Sequence, residues 1–164
     1  MLKWYKMPTS KFKLEWCLES EKRMKKINPS NKLSKEHIEK AKHNLKAADY
    51  NVKGNFDDWA VSQSYYAMYH ALLAILFKKG FESKNHECTI NTVEFLIEAK
   101  EISISMSDLY FIRTTEQMTT KDAKSLREEF QYGTKTDVNK VLLAELLQKS
   151  KEIVEKIEIM LNDM

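Results

Sequence analysis

Apolar and polar positions along this chain recur at helical spacing, and the longest such stretch has no polar side. From Phe56 to Lys79 there is no Gly or Pro and few charges. Trp59, Tyr66, Tyr69 and Leu73 form one stripe, Val61, Tyr65, Met68, Leu72 and Ile75 a second, and Ala60, Ser64, Ala67, Ala71 and Ala74 a third. A helix that is apolar all round has to be enclosed by other helices. Its small-residue stripe lets one neighbour come close, because Ala and Ser put little between two backbones. Lys78-Lys79-Gly80 reads as a basic last turn followed by a C′ glycine. The pattern therefore predicts a buried central helix over about 56–79.

The other elements are arranged around it. A first helix is expected from Ser10 or Lys11 to Asn28, opened by Pro8-Thr9-Ser10 and stopped by Pro29, with the basic run Lys22 to Lys26 complementing its C-terminal dipole. Ser34 is the expected N-cap of the next helix, with Leu33 and Ile38 spaced for a hydrophobic staple. Ile38, Ala41, Leu45 and Ala48 face inward, and Lys53-Gly54-Asn55 makes the turn to the central helix near Val52, so the two are predicted antiparallel neighbours. Phe81 to Asn85 reads as a polar connector. A helix over 86–99 follows, with Ile90, Val93, Leu96 and Ile97 inward. Ile102 to Ser105 is read as a loop whose last serine, or Ser107, caps a helix from Asp108 to Gln131, bent or broken near Thr119 and ended by Gly133. Thr136-Asp137 opens a last helix with Val138, Val141, Leu142, Leu146, Ile153, Val154, Ile157 and Leu161 along its apolar stripe. The class is all-α, an up-and-down bundle of about five to six helices, with residues 1–29 as a helical extension and 30–164 as the bundle domain.

Composition agrees: three Gly and two Pro in 164 residues leave room for short loops and long helices. The net charge of +3 comes from Lys, and the only arginines are Arg23, Arg113 and Arg127, too few for a dedicated phosphate-gripping surface. Cys17 and Cys88 are too few for a disulfide framework, so a reducing, cytoplasmic setting is expected. Met1 to Lys6 lacks the apolar core of a secretory signal, and the apolar run Ala67 to Phe77 is too short to cross a bilayer.

Candidate chemistry is sparse. His86-Glu87-Cys88 lacks the second histidine of a zinc-binding H-E-x-x-H pair, Ile90 standing in its place, and His37 and His43 face different sides of their helix; no metal and no cofactor are expected. His70, one turn from Tyr66 and two from Gln63, reads as part of a hydrogen-bonded core polar cluster of Gln63, Tyr66 and His70. His86, opening a helix after the connector, is a weaker candidate for an exposed site.

The series Ala60-x-Ser62-x2-Tyr65-Tyr66-Ala67-Met68-Tyr69-His70-Ala71, then Gly80, Ser83-Lys84-x-His86 and Arg127-x4-Tyr132-Gly133, resembles the HEPN domain family of bacteria and archaea, in particular its small stand-alone members, over roughly Ser34 to Leu161. The resemblance implies a helical bundle assembled as a homodimer, with a minimal nucleotidyltransferase as partner in a toxin-antitoxin-like pair. Active members of that family are metal-independent endoribonucleases with an Arg-x4-6-His motif, in which His moves protons at the ribose and Arg meets the phosphate charge. Arg127 stands at the Arg position here, but Tyr132 stands where His is required, and a phenol with a pKa near 10 is a poor base at neutral pH. The resemblance thus points to Arg127 and Tyr132 as the catalytic positions, and to Arg127, Arg113 and His86 as contacts for a nucleotide or RNA. Three functions stay open: a dimeric module that partners a nucleotidyltransferase, a ribonuclease toxin, and a non-catalytic adaptor.

Overall fold

The computed structural model of the chain describes residues 9–113, 128, 132–134 and 136–164. Six helices and one two-stranded sheet appear among them: α1 (Thr9–Leu18), β1 (Met24–Lys26), α2 (Asn31–Lys53), α3 (Asp57–Lys79), β2 (Phe81–Ser83), α4 (His86–Glu98), α5 (Met106–Ile112) and α6 (Lys140–Asn162). The class is the predicted all-α bundle. Helices α2 and α3 form an antiparallel hairpin, α6 lies against both, and α1 packs on α4.

The expected central helix is α3, bounded almost where the pattern placed it. Ala60, Ser64, Ala67, Ala71 and Ala74 are fully enclosed, as are Tyr65, Met68, Leu72, Ile75 and Leu76. The enclosure is not all round. Trp59 is exposed and Gln63, Tyr66 and His70 are half-buried, so these four, at helical spacing, form a partly open line along α3. Gly80 ends the helix with φ +87, and a Cβ there would stand 2.8 Å from the Ile27 carbonyl oxygen. Glycine is needed both for the left-handed turn and for that approach.

The approach exists because of the small sheet, which the sequence reading missed. β1 pairs antiparallel with β2 in the register Met24 to Ser83, Lys25 to Glu82 and Lys26 to Phe81. Ile27 N donating to Gly80 O and Ser30 N donating to Phe77 O continue the contact beyond it. The first helix therefore stops at Leu18 rather than Asn28, and the connector Phe81 to Asn85 is part strand. The basic run lies past the helix end. Arg23 alone turns back, donating from Nη2 to the Trp16 carbonyl (2.6 Å) with its guanidinium 4.0 Å from the Trp16 ring centre. Lys25 pairs with Glu82 across the strands instead.

Two starts and one end also differ. Ser30, not Ser34, caps α2: its Oγ accepts from Leu33 N, while Ser34 lies buried within the helix. Leu33 is then the third helical residue, too far inside for a staple. Ser105 caps α5 by accepting from Asp108 N, as expected, but α5 ends at Ile112 with Arg113 extended, ahead of the expected break at Thr119. Thr114, Thr115, Thr119, Thr120, Ala123, Leu126, Phe130 and Gln131 lie outside the described residues. The last helix begins at Lys140 rather than Thr136, because Asn139 Oδ1 accepts from both Val141 N and Leu142 N. Val141, expected inward, is consequently exposed on the first turn of α6.

Candidate functional site

Three groups of side chains carry chemistry, and all involve α3 or α4. The first is aromatic. Asn85 caps α4 by accepting from Cys88 N, and this sets His86 at the first helical position against α3. There His86 Nδ1 and the Tyr65 hydroxyl are 2.8 Å apart, and the imidazole stacks on Tyr69 with ring centres 4.1 Å apart. The Tyr69 hydroxyl lies 3.2 Å from Thr89 Oγ1, which donates to Ser83 Oγ at 2.9 Å. Burial pushes the Tyr69 phenol upward, more than the Thr89 bond lowers it. His86, expected to stand exposed, is thus a half-buried link between α3 and α4.

The second group is a histidine pair. His37 on α2 and His70 on α3 meet Nδ1 to Nδ1 at 2.9 Å, their rings stacked with centres 5.2 Å apart, and Phe77 also stacks on His37 with ring centres 4.9 Å apart. One nitrogen of such a pair must donate and the other accept, so the bond requires at least one neutral ring. Burial lowers the His70 pKa to about 4, with the charges of His37 and Lys40 acting in the same direction; burial also lowers His37, against a smaller opposing pull from Glu36. His70 therefore has the polar partner expected of it, but that partner is His37, which sequence reasoning had paired only with His43. Gln63 and Tyr66 share its partly open line rather than an enclosed cluster.

The third group centres on Glu94, a carboxylate that sequence reasoning passed over. It is buried on α4 and receives Arg113 Nη1 at 2.9 Å and Lys13 Nζ at 3.5 Å, from α5 and α1. Arg113 Nη2 also lies 3.4 Å from Asn91 Oδ1. Next to this hub, Ser10 donates to Glu98, and Cys17 and Cys88 form a disulfide with Cα atoms 5.7 Å apart, 71 residues apart in sequence. The two cysteines, read from sequence as too few for a disulfide framework, therefore tie α1 to α4. The signal available in sequence was only the position of Glu94 next to Val93 on an apolar face, and nothing near Cys17 or Cys88 pointed to the other.

Among the described residues, the predicted site positions fall on different elements. His86 joins the α3 tyrosines, and Arg113 is held by α4 further along that helix. Tyr132 is 73% exposed. Arg127 lies outside the described residues. Among the described residues, no group of three or more His, Cys, Asp or Glu is placed to hold a metal ion, and no helix is long and apolar enough to cross a membrane.

Comparison with known proteins agrees with this architecture. A UPF0332 protein of Archaeoglobus fulgidus is 30% identical over 119 residues, which cover 73% of this chain and 87% of the relative. The HEPN domain model matches residues 34–160, from within α2 to near the end of α6, leaving α1 and β1 outside. The chain belongs to the HEPN domain family.

Proposed function

We propose that this chain is a homodimeric HEPN module that partners a minimal nucleotidyltransferase, with the Arg127-x4-Tyr132 segment as the meeting point rather than a ribonuclease centre. The observation that carries the reading is Tyr132, a phenol 73% exposed at the position where the family chemistry needs an imidazole. A phenol near pKa 10 does not take a proton from a ribose hydroxyl at neutral pH. It is instead an acceptor for group transfer: its oxygen can attack the α-phosphorus of a nucleoside triphosphate, pyrophosphate leaves, and the phenolic proton passes to a base of the transferring enzyme. The histidines nearest the bundle core are engaged with neighbours of their own, which supports this reading. His37 and His70 face each other, and His86 is stacked on Tyr69 with Nδ1 at the Tyr65 hydroxyl.

A pull-down of the tagged chain from its native cells, with intact-mass measurement of the captured protein, tests this. Recovery of a small nucleotidyltransferase, and a nucleotidyl mass increment that Tyr132→Phe removes, is the expected result. The opposite result is a pure chain that cleaves RNA and arrests growth when expressed alone, with both effects abolished by Arg127→Ala. That outcome makes the protein a ribonuclease toxin.

A further inference from the structure

The end of the bundle at the α2–α3 turn carries aromatic side chains that the fold does not use. Tyr50 is 76% exposed, Phe56 56% and Trp59 55%. With Lys53 they follow one another at three-residue intervals across the turn, and the Phe56 ring lies over Gly54, its Cδ2 3.0 Å from where a Cβ would be. Helix α6 starts at the same end, where Lys140 pairs with Asp57, and so brings Val141, 68% exposed, to this end. A solvated turn needs none of these apolar groups. An exposed cluster rich in Tyr, Trp and Phe with a charged rim is the composition of an interface core.

The rim indicates what covers it. Lys53 ends α2 and Asp58 lies in the first turn of α3, one on each side of the turn, and neither has an ion partner among the described residues. A patch in which a cation and an anion without ion partners among the described residues flank an apolar centre is complementary to itself: under a two-fold axis, Lys53 of each copy meets Asp58 of the other. We propose that the Tyr50, Phe56 and Trp59 tip is the surface through which two copies of this chain join. This rests on the homodimer of the proposed function and gives it a location.

Sedimentation equilibrium of the full chain tests the surface. Phe56→Glu and Trp59→Glu are each expected to raise the dimer dissociation constant roughly 30-fold or more, as loss of a central aromatic anchor does. Lys53→Glu alone and Asp58→Lys alone are each expected to raise it about tenfold, and the double exchange to restore it, because the swapped pair attracts again. Restoration also keeps the test valid if a glutamate at an aromatic position disturbs folding. A wild-type dimer that tolerates both aromatic changes and shows no rescue overturns the surface while leaving the homodimer intact. A wild-type monomer overturns both. A monomer whose aromatic variants lose only nucleotidyltransferase capture assigns the tip to that enzyme and overturns pairing of two copies.

Discussion

Helix α1 buries three of its ten residues, Ser10, Leu14 and Cys17, whereas α3 buries fifteen of twenty-three. The difference decides how each is held. Helix α3 needs no special bond, since its enclosed Tyr65, Met68, Leu72, Ile75 and Leu76 each contribute on the order of 1.5–3 kcal/mol by leaving water. Helix α1 leaves Phe12 and Trp16 exposed and has no apolar stripe to offer. It is secured by the Cys17–Cys88 disulfide, by Ser10 on Glu98, by Lys13 on Glu94 and by Arg23 on the Trp16 carbonyl. A segment without enough apolar area to dock by itself is held by cross-links and polar contacts, as in scaffolds too small for a core. That α1 and β1 lie outside the residues matched by the HEPN domain model fits this contrast.

The contrast can be broken in two ways. Leu72→Ala should cost about 2–5 kcal/mol and lower the stability of the whole described bundle, read by denaturant unfolding with coincident fluorescence and circular dichroism transitions. A loss below about 1 kcal/mol would show that α3 is not held by its packing. Cys17→Ser should cost about 2–4 kcal/mol, mostly through the freed unfolded chain. In hydrogen exchange, the α1 amides of that variant should open at much lower free energy than those of α3. Equal protection in both sets would mean that α1 docks without its cross-link.

The His37–His70 pair makes the α2–α3 seam sensitive to acid. In the unfolded chain His70 titrates near its ordinary value of 6.5, but in the folded chain it does so near 4, because burial, then His37 and Lys40, disfavour its charged form. Between those values the unfolded state binds the extra proton, so this contribution is complete above about pH 6.5 and is lost as pH falls toward 4. The melting temperature should therefore fall through that window, and His70→Gln should flatten the fall. An unchanged slope in the variant removes the pair as its source. The smallest effect concerns the entry to α2: Ser30→Ala should cost about 1 kcal/mol by leaving Leu33 N–H without its cap, and Ser34→Ala should not reproduce that cap loss in the exchange of the first-turn amides.

Much of the fold was legible because α3 carries its periodicity in residue types that act locally. Apolar or small groups around most of its circumference, no Pro or Gly, and a glycine after two lysines favour a helix with a defined end for that stretch. The short sheet was not legible, since Met24 to Lys26 has no alternation and Phe81 to Ser83 is only three residues long; each strand exists because the other is there. The candidate site was legible only at its ends. His70 and Arg113 were recognised, but their partners His37, Asn91 and Glu94 are 33, 22 and 19 residues away, and no local spacing signals such a meeting.

By itself the sequence determined the class, the central helix with its glycine stop, the antiparallel α2–α3 turn and the tyrosine at the motif position, because each depends on neighbours along the chain. Only the tertiary structure decided that Cys17 reaches Cys88, that β1 replaces the end of the first helix, that His37 faces His70 and that Glu94 collects two cations. Each of these joins groups far apart in sequence. Whether they meet depends on how the helices pack, which is the summed result of burial over the whole core rather than the property of any one stretch.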